Sequence, residues 1–143
     1  MKKKVMIVDD EPDVLTSLKT ILEHNEFDVT TVDNGKDCLK ELENGFKGII
    51  LMDIMMPGMT GWDTIREIVS KGYIKDVAIE VVTGMGIKDH QRMGVLEPYI
   101  YDYLAKPINI EELISSIIRC NSYLYAKNNS NEKFNNKEYK KKD

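Results

Sequence analysis

The most constraining feature of the sequence is the apolar run Ile-Ile-Leu-Met at residues 49–52, which ends in Asp53. Turn residues follow, among them Pro57, Gly58 and Gly61. An apolar run of this length, bounded by a turn, is typical of a short strand that is buried on both faces. Open α/β sheets bind their ligands at the carboxyl ends of such strands, so Asp53 occupies a position of functional interest. Taken alone, however, Asp53 is better interpreted as the start of a solvated loop.

Similar runs alternate with helical patterns along the rest of the chain. Strands are indicated by apolar or β-branched runs that end at turn residues, and helices by apolar residues three or four positions apart. The alternation predicts an α/β fold, a doubly wound five-stranded parallel sheet with helices on both faces. The flavodoxin-like strand order 2-1-3-4-5 suits this (βα)5 pattern, although periodicity does not prove the order. The predicted strands cover residues 5–8, 27–32, 48–52, 77–82 and 100–104, and the predicted helices cover residues 12–24, 36–44, 61–71, 88–97 and 110–125.

Composition limits the class of protein. The 143 residues are enough for one domain, expected over residues 1–125, and residues 126–143 form a polar tail that is expected to be disordered or frayed. Residues 127–143 carry a net charge of +3, which leaves −7 on the remainder. An acidic domain argues against nucleic-acid binding by the domain itself, and the apolar runs are too short for a membrane span or a signal peptide. Cys38 and Cys120 lie on predicted apolar helix faces, so we expect inert core thiols in a reducing cytoplasm.

Four chemically active features follow four of the predicted strands. They are the pair Asp9 and Asp10, then Asp53, Thr83 and Lys106. Since the carboxyl ends of parallel strands share one edge of the sheet, these side chains are expected to lie close together. Clustered carboxylates without His or Cys favour Mg²⁺ or a similar ion such as Mn²⁺, and a lysine and a hydroxyl can hold a phosphoryl group. An aspartate can then act as the nucleophile and become an aspartyl phosphate.

Each feature taken singly also has an ordinary structural interpretation. An Asp pair before Pro12 is usual at a helix start, Thr-Gly is usual in a turn, and Lys-Pro is usual in a loop. Their joint occurrence at four strand ends is what favours a functional site.

The sequence resembles the receiver domain of the two-component response-regulator family over about residues 4–122. The matching motifs are Val-Asp-Asp-Glu-Pro at 8–12, Met-Asp-Ile-Met-Met-Pro-Gly at 52–58, Val-Val-Thr-Gly at 81–84 and Asp-Tyr-Leu-Ala-Lys-Pro at 102–107. The resemblance implies that Asp53 is the phosphoacceptor and that Mg²⁺ is held by Asp9, Asp10, Asp53 and the backbone carbonyl of Met55. It further implies that Lys106 pairs with the phosphoryl group, that Thr83 moves to hydrogen-bond it, and that Tyr103 is an aromatic switch.

The same resemblance implies an output surface made by the predicted fourth helix, the fifth strand and the fifth helix. In this chain it would include Met93, Tyr99, Tyr101 and Tyr103. Family members often have a small Gly-Ala pair a few residues before the switch aromatic, where this chain has Tyr99 and Ile100. The loop is therefore bulkier here, and Tyr99 and Tyr101 either contact a partner or pack as strand residues.

Two methionines occupy positions that influence dephosphorylation in the family. Met55 lies two residues after the phosphoacceptor and Met85 lies two residues after the threonine. A thioether is only a weak hydrogen-bond acceptor and cannot orient an attacking water well. The sequence therefore predicts a comparatively long-lived phosphoryl group.

The leading hypothesis is a stand-alone receiver that is phosphorylated by a histidine kinase or a histidine phosphotransfer protein and signals to a downstream protein target. Its only catalysis would be its own phosphorylation and dephosphorylation, and it would be a monomer or a weak phosphorylation-dependent dimer. An alternative is a receiver fragment of a longer regulator. A less favoured alternative is an aspartate-nucleophile phosphatase, because the Asp-x-Asp pattern and a cap segment are missing. Binding of the basic tail to nucleic acid or acidic lipid is less favoured than a solvated end.

Overall fold

All five predicted strands form, and they pair in parallel in the order β2-β1-β3-β4-β5. The computed structural model describes residues 3–84 and 94–129. The predicted fold class and strand order are confirmed. Within the described residues, the strands are β1 (Lys3–Val8), β2 (Phe27–Val32), β3 (Gly48–Asp53), β4 (Val77–Thr83) and β5 (Ile100–Ala105). The α-helices are α1 (Pro12–His24), α2 (Gly35–Glu43), α3 (Gly61–Ser70) and a C-terminal helix (Ile110–Asn129), and two short 3-10 helices cover Tyr73–Asp76 and Glu97–Tyr99.

Strand β3 lies at the centre of the sheet, and all six of its residues are buried. It pairs with β1 on one side and with β4 on the other, where Asp53 is in register with Val82. A strand with helices on both faces needs apolar side chains on both, which is why residues 49–52 are uniformly apolar.

The core consists of two apolar layers, one on each face of the sheet. One layer packs α2 and α3 against the sheet through Cys38, Leu42, Ile65 and Ile68. The other packs α1 and the C-terminal helix against the opposite face through residues that include Leu18, Leu22, Leu113, Ile117 and Cys120. Both cysteines are buried free thiols, as predicted. No helix among residues 3–84 and 94–129 has the length and hydropathy needed to cross a membrane.

The C-terminal helix differs from its prediction at two points. It continues to Asn129, four residues beyond the expected end at residue 125. Lys127 lies in this extension and its Nζ donates to the backbone carbonyls of Ile74 at 3.2 Å and Val77 at 3.5 Å, which holds the last turn to the sheet. Ile118, predicted to be on the apolar face, is 50% exposed. Residues 130–143 of the predicted tail lie outside the described residues.

The predicted helix over residues 88–97 falls mostly on residues 85–93, which lie outside the described residues. Its described part is not α-helical, since residues 94–96 form a turn and a 3-10 helix begins at Glu97. Gly94 and Pro98 both disfavour a regular helix here. Strand β5 also contains an irregularity opposite Ile79 and Glu80, where the pairing moves from Ile100 directly to Asp102.

Candidate functional site

The carboxyl ends of four neighbouring strands bring Asp9, Asp53, Thr83 and Lys106 together. Asp53 and Thr83 are the last residues of β3 and β4, while Asp9 follows β1 and Lys106 follows β5. The backbone amide of Lys106 donates to the carbonyl of Thr83 at 3.0 Å, which ties two of these strand ends directly. The Thr83 residue is buried, with 8% of its surface exposed. The predicted convergence is therefore present in the fold.

Three carboxylates form a compact acidic cluster at this edge. Asp9, Asp10 and Asp53 each offer an oxygen, and these oxygens all lie within 4.8 Å of one another. Asp9 and Asp53 are buried, and Asp10 is half-buried. Such oxygen-only donors fit a hard divalent cation such as Mg²⁺. Like charges this close repel, so a cation would also remove an electrostatic cost.

Backbone amides orient the two buried carboxylates of the cluster. The Glu11 amide donates to Asp9 Oδ1 at 2.9 Å, and the Met55 amide donates to Asp53 Oδ1 at 3.3 Å. Each amide belongs to the loop directly after its strand, so the chain geometry itself fixes where the carboxylates point. These contacts leave other carboxylate oxygens available for a ligand.

Lys106 is the cation beside this cluster. Its Nζ lies 3.0 Å from Asp9 Oδ2, 3.6 Å from Asp53 Oδ1 and 3.9 Å from Glu11 Oε1. Partial burial alone would lower the pKa of Lys106, but the hydrogen bond to Asp9 and the charge of Asp53 outweigh it and raise that pKa. Lys106 therefore stays protonated and supplies a fixed positive charge next to Asp53.

The acid–base state of Asp53 reflects its surroundings. Burial raises its pKa to about 6, and the negative charge of Asp9 adds to this shift. Lys106 and the amide of Met55 act in the opposite direction without cancelling it. A cation bound to these carboxylates would favour the ionised form of Asp53, which is the nucleophilic form.

The loop after Asp53 is held by close packing against helix α3. A Cβ atom built at Gly61 would lie 2.4 Å from the carbonyl oxygen of Asp53, so only glycine fits at the first residue of α3. Ile54 and Met56 are buried against the core, whereas the Met55 side chain between them is 59% exposed. The loop therefore alternates inward anchors with one outward side chain beside the acidic cluster.

The hydroxyl of Tyr103 is directed away from the acidic cluster in this structure. It donates to Glu97 Oε1 at 3.1 Å while the half-buried ring packs against the apolar core. Burial and this hydrogen bond both raise the pKa of Tyr103. The ring of Tyr101 instead packs against Tyr123, with 5.0 Å between ring centroids, so Tyr101 packs on the C-terminal helix. Met85 and Met93 lie outside the described residues.

Comparison with known proteins identifies the family. Residues 5–118 match the family model of the response regulator receiver domain. The chain belongs to this family. It is 37% identical over 114 residues to the transcriptional regulatory protein CpxR homolog of Haemophilus influenzae, covering 80% of this chain and 48% of that protein. It is 26% identical over 117 residues to the phosphate regulon transcriptional regulatory protein PhoB of Escherichia coli, covering 82% of this chain and 51% of that protein.

Solved receiver structures share the fold. A CheY-like response regulator receiver domain protein from Methanospirillum hungatei JF-1 superposes with a TM-score of 0.81 at 39% identity, covering 87% of this chain and 98% of that one. The response regulator TrrA of Thermotoga maritima, solved in complex with Mg²⁺-BeF, gives a TM-score of 0.71 at 28% identity over 82% of this chain and 98% of that one. The receiver spans about half the length of the curated relatives it matches.

Two residues around the receiver site were not singled out from the sequence. Glu11 contributes both its amide and a carboxylate near Lys106, and Gly61 permits the close approach of α3. Glu11 lies inside the motif at residues 8–12, but a residue that acts through its backbone leaves no distinctive side-chain signal. Gly61 was predicted as a turn residue and as a possible start of the helix over residues 61–71, but the close approach that requires glycine there has no local sequence signal.

Proposed function

We propose that this receiver is a phosphorylation-activated switch of a two-component phosphorelay in which Asp53 is the phosphoacceptor. The supporting observation is that Asp53 lies buried at a strand end within a cluster of carboxylates, with the Lys106 ammonium 3.6 Å from its Oδ1. The arrangement combines a nucleophile, a fixed cation and oxygen donors for a divalent ion. Phosphoryl transfer requires mainly such positioning and charge neutralisation.

Asp9, Asp10, Asp53 and the backbone carbonyl of Met55 would hold Mg²⁺, or Mn²⁺ in its place. When bound, the ion supplies charge neutralisation for the incoming phosphoryl oxygens. Two observations support this assignment. Oxygens of the three carboxylates lie within 4.8 Å of one another, and the crystal structure of the related protein TrrA contains Mg²⁺-BeF. Lys106 would move from its contact with Asp9 onto a phosphoryl oxygen, where a compact ammonium charge is well suited.

The donor would be a phosphohistidine of a histidine kinase or of a histidine phosphotransfer protein. An oxygen of Asp53 attacks phosphorus, the phosphorus–nitrogen bond to histidine breaks, and histidine leaves with the bonding electrons and takes up a proton. Water later attacks the phosphorus, the bond between phosphorus and the Asp53 oxygen breaks, and inorganic phosphate leaves, which restores the carboxylate. Catalysis is then limited to the phosphorylation and dephosphorylation of the receiver itself.

Thr83 would act as the sensor of the phosphoryl group and Tyr103 as the responding switch. Thr83 ends β4 at the site edge, and Tyr103 lies on the adjacent strand with its hydroxyl held by Glu97. A shift of Thr83 toward the phosphoryl group would open space for the Tyr103 ring to turn inward. The resulting change on the β5 side of the domain would be read by a downstream protein in the cytoplasm.

Two forms of output are consistent with these findings. A stand-alone receiver would act by binding a target protein. A receiver that is one part of a longer regulator is favoured by a specific observation, since the matched region covers only 48% and 51% of two relatives that are named transcriptional regulatory proteins. Sequencing the gene past codon 143 distinguishes them, because a stop codon there supports the stand-alone form.

The central test is incubation with acetyl phosphate and Mg²⁺ followed by intact mass measurement. One phosphate adduct is expected in the wild type and in the control variant Asp28→Asn, which changes an exposed aspartate on β2. Asp53→Asn should show none. A wild type without any adduct would contradict the proposal, and multiple turnover of phosphomonoesters would point to the phosphatase alternative instead.

Met55 should prolong the life of the phosphoryl group. Its exposed thioether next to Asp53 orients water poorly, whereas an asparagine amide can donate and accept hydrogen bonds. Met55→Asn is expected to shorten the half-life of the phosphorylated protein severalfold. The half-life is measured by intact mass at successive times after the phosphodonor is removed. Rapid loss of phosphate from the wild type, with little change in Met55→Asn, would count against this expectation. The corresponding Met85→Lys substitution tests the second position in the same way.

A further inference from the structure

A third buried carboxyl group lies outside the acidic cluster. Glu80 lies in the middle of β4 and is fully buried between the sheet and the C-terminal helix. It is in register with Leu51 of β3 on one side and with Asp102 of β5 on the other. The strand is otherwise apolar at residues 77–82, so a carboxyl group here is not required for packing. Its Oε2 atom has no hydrogen-bond partner.

One hydroxyl joins this glutamate to a second carboxyl group. Ser116 Oγ lies 2.7 Å from Glu80 Oε1 and 3.3 Å from Asp102 Oδ2. A serine hydroxyl carries one hydrogen, so it cannot donate to both carboxylates at once. The contacts are all satisfied if Glu80 is protonated and donates to Ser116 Oγ, which then donates to Asp102. Two ionised carboxylates would compete for this one hydrogen, and the cost of losing it would be greater for Glu80, which is fully buried.

The irregularity in β5 explains how the two carboxyl groups come to share Ser116. It places Tyr101 and Asp102 both toward the C-terminal helix, where regular alternation would place only one of them. Asp102 also accepts the backbone amide of Tyr103 at 2.8 Å and is only half-buried, so it is the member that keeps its charge.

The other titratable or charged groups that act on Glu80 belong to β5 and the C-terminal helix. Tyr101 lies on the strand, and Arg119 and Cys120 lie on the helix. Arg119 is exposed to solvent, which weakens its compensation of a buried charge. The neighbour of Glu80 on β3, Leu51, is apolar and cannot compensate a buried negative charge.

We propose that Glu80, Ser116 and Asp102 form a proton-binding clamp that holds the C-terminal helix on β4 and β5 when Glu80 is protonated and releases it when Glu80 is ionised. The clamp goes beyond the phosphorylation site, because none of its three side chains contacts the acidic cluster. It nevertheless acts on the two strands that carry Thr83 and Tyr103.

Electrostatics agree with this geometry. Burial raises the pKa of Glu80 to about 7, the Ser116 hydroxyl opposes the shift, and the charge of Asp102 adds to it. The raised value means that the folded state binds the proton more tightly than the unfolded state. The proton on Glu80 therefore stabilises the folded state fully below the ordinary glutamate pKa of about 4.3. This stabilisation is lost as the pH rises through about 7.

A carboxyl titration of the wild-type protein tests the proton site directly. With ¹³C-labelled glutamate, one side-chain carboxyl signal should titrate more than one pH unit above the rest, and it should be absent in Glu80→Gln. Asp102→Asn should lower its midpoint, because the neighbouring negative charge is removed. If every glutamate titrates near its ordinary value of about 4.3, the proposal is overturned even if no variant folds.

Thiol labelling tests the release of the helix. Cys120 lies on the buried side of the C-terminal helix near Glu80, and Cys38 is buried on the opposite face of the sheet. Labelling of Cys38 therefore corrects for the intrinsic pH dependence of the thiol reaction. With a dithiodipyridine reagent, the ratio of Cys120 to Cys38 labelling should rise by up to about tenfold per pH unit between about pH 5 and about pH 7. Glu80→Gln should give a flat ratio, and Glu43→Gln, at an exposed position of α2, should behave as the wild type. A flat ratio in the wild type, or an equal rise in Glu80→Gln, would overturn the proposal.

Discussion

At the scale of single residues, Lys106 occupies a position where its charge affects two ligands in opposite ways. Its ammonium lies within 4 Å of three carboxylates, so it competes with a divalent cation for the same negative charge. The same ammonium would attract a phosphoryl group once the cation is bound. The two effects can be separated experimentally because one concerns metal affinity and the other concerns the acyl phosphate.

Replacing Lys106 with Met is expected to tighten Mg²⁺ binding and to lower the yield of phosphorylated protein. Removal of a positive charge at this distance strengthens the attraction for a second cation and removes a partner of the phosphoryl oxygens. Calorimetric titration measures the first effect and intact mass after treatment with acetyl phosphate measures the second. Lys71→Met, at an exposed position after α3, serves as the control and should change neither. Weaker Mg²⁺ binding in Lys106→Met would show that the lysine organises the cluster rather than competing with the ion.

Sequence reasoning predicted the clustering of the candidate site residues because strand ends in a parallel sheet are brought to one edge by the topology itself. Asp9, Asp53, Thr83 and Lys106 could therefore be grouped without knowing any distance. Glu80 escaped notice, although it interrupts an apolar run, because its partners come from β5 and the C-terminal helix. An irregular strand pairing changes which face a residue occupies, and periodicity cannot predict that change.

At the scale of elements, helix α3 begins with a reciprocal capping box. Thr60 Oγ1 accepts the amide of Asp63 at 3.2 Å, and Asp63 Oδ2 accepts the amide of Thr60 at 3.0 Å. The two bonds satisfy amides at the helix start and fix where the chain enters α3 after the loop that follows Asp53. The cap therefore supports both the helix and the loop.

Thr60→Ala should destabilise the protein by about 1 kcal/mol, because the amide of Asp63 loses its acceptor. Urea unfolding measures the change, and Thr16→Ala on the exposed side of α1 should cost less or be neutral. The hydrogen bond from the Thr60 amide holds the pKa of Asp63 below its usual value. The carboxylate half of the box thus contributes above the ordinary aspartate pKa of about 3.9 and is lost as the pH falls below it. An unchanged unfolding midpoint in Thr60→Ala would show that the box does not limit helix stability.

Element types were predictable where the apolar period was strong, and boundaries were not. The extension of the C-terminal helix to Asn129 depends on contacts of Lys127 with carbonyls about 50 positions earlier in the chain. Local composition at residues 126–129 is polar and gave no reason to continue the helix. Tyr73–Asp76 and Glu97–Tyr99 are single 3-10 turns, too short to produce a periodic signal.

At the scale of the whole molecule, the acidic cluster links metal binding to stability. The carboxylates repel one another in the folded domain and separate on unfolding, so a bound divalent cation should stabilise the fold. Adding Mg²⁺ to about 100 times its dissociation constant should increase the free energy of unfolding by about 2.7 kcal/mol. Chelation should reverse the increase.

Thermal unfolding with increasing Mg²⁺ measures this linkage. The response should be much smaller in Asp10→Asn, which removes one donor of the cluster, and should be retained in Asp28→Asn on the exposed side of β2. An unfolding temperature that does not respond to Mg²⁺ in the wild type would argue against a metal site at this edge.

The direction of the strands also determines how this domain can be joined to others. Strand β1 starts at Lys3, and the last turn of the C-terminal helix is bonded to the carbonyl of Val77, where β4 starts. Both ends of the described chain therefore lie at the amino edge of the sheet, opposite Asp53. A segment attached directly at Lys3 or Asn129 would start at the edge away from the acidic cluster. To affect such a segment where it starts, a change at Asp53 would have to cross the length of the strands.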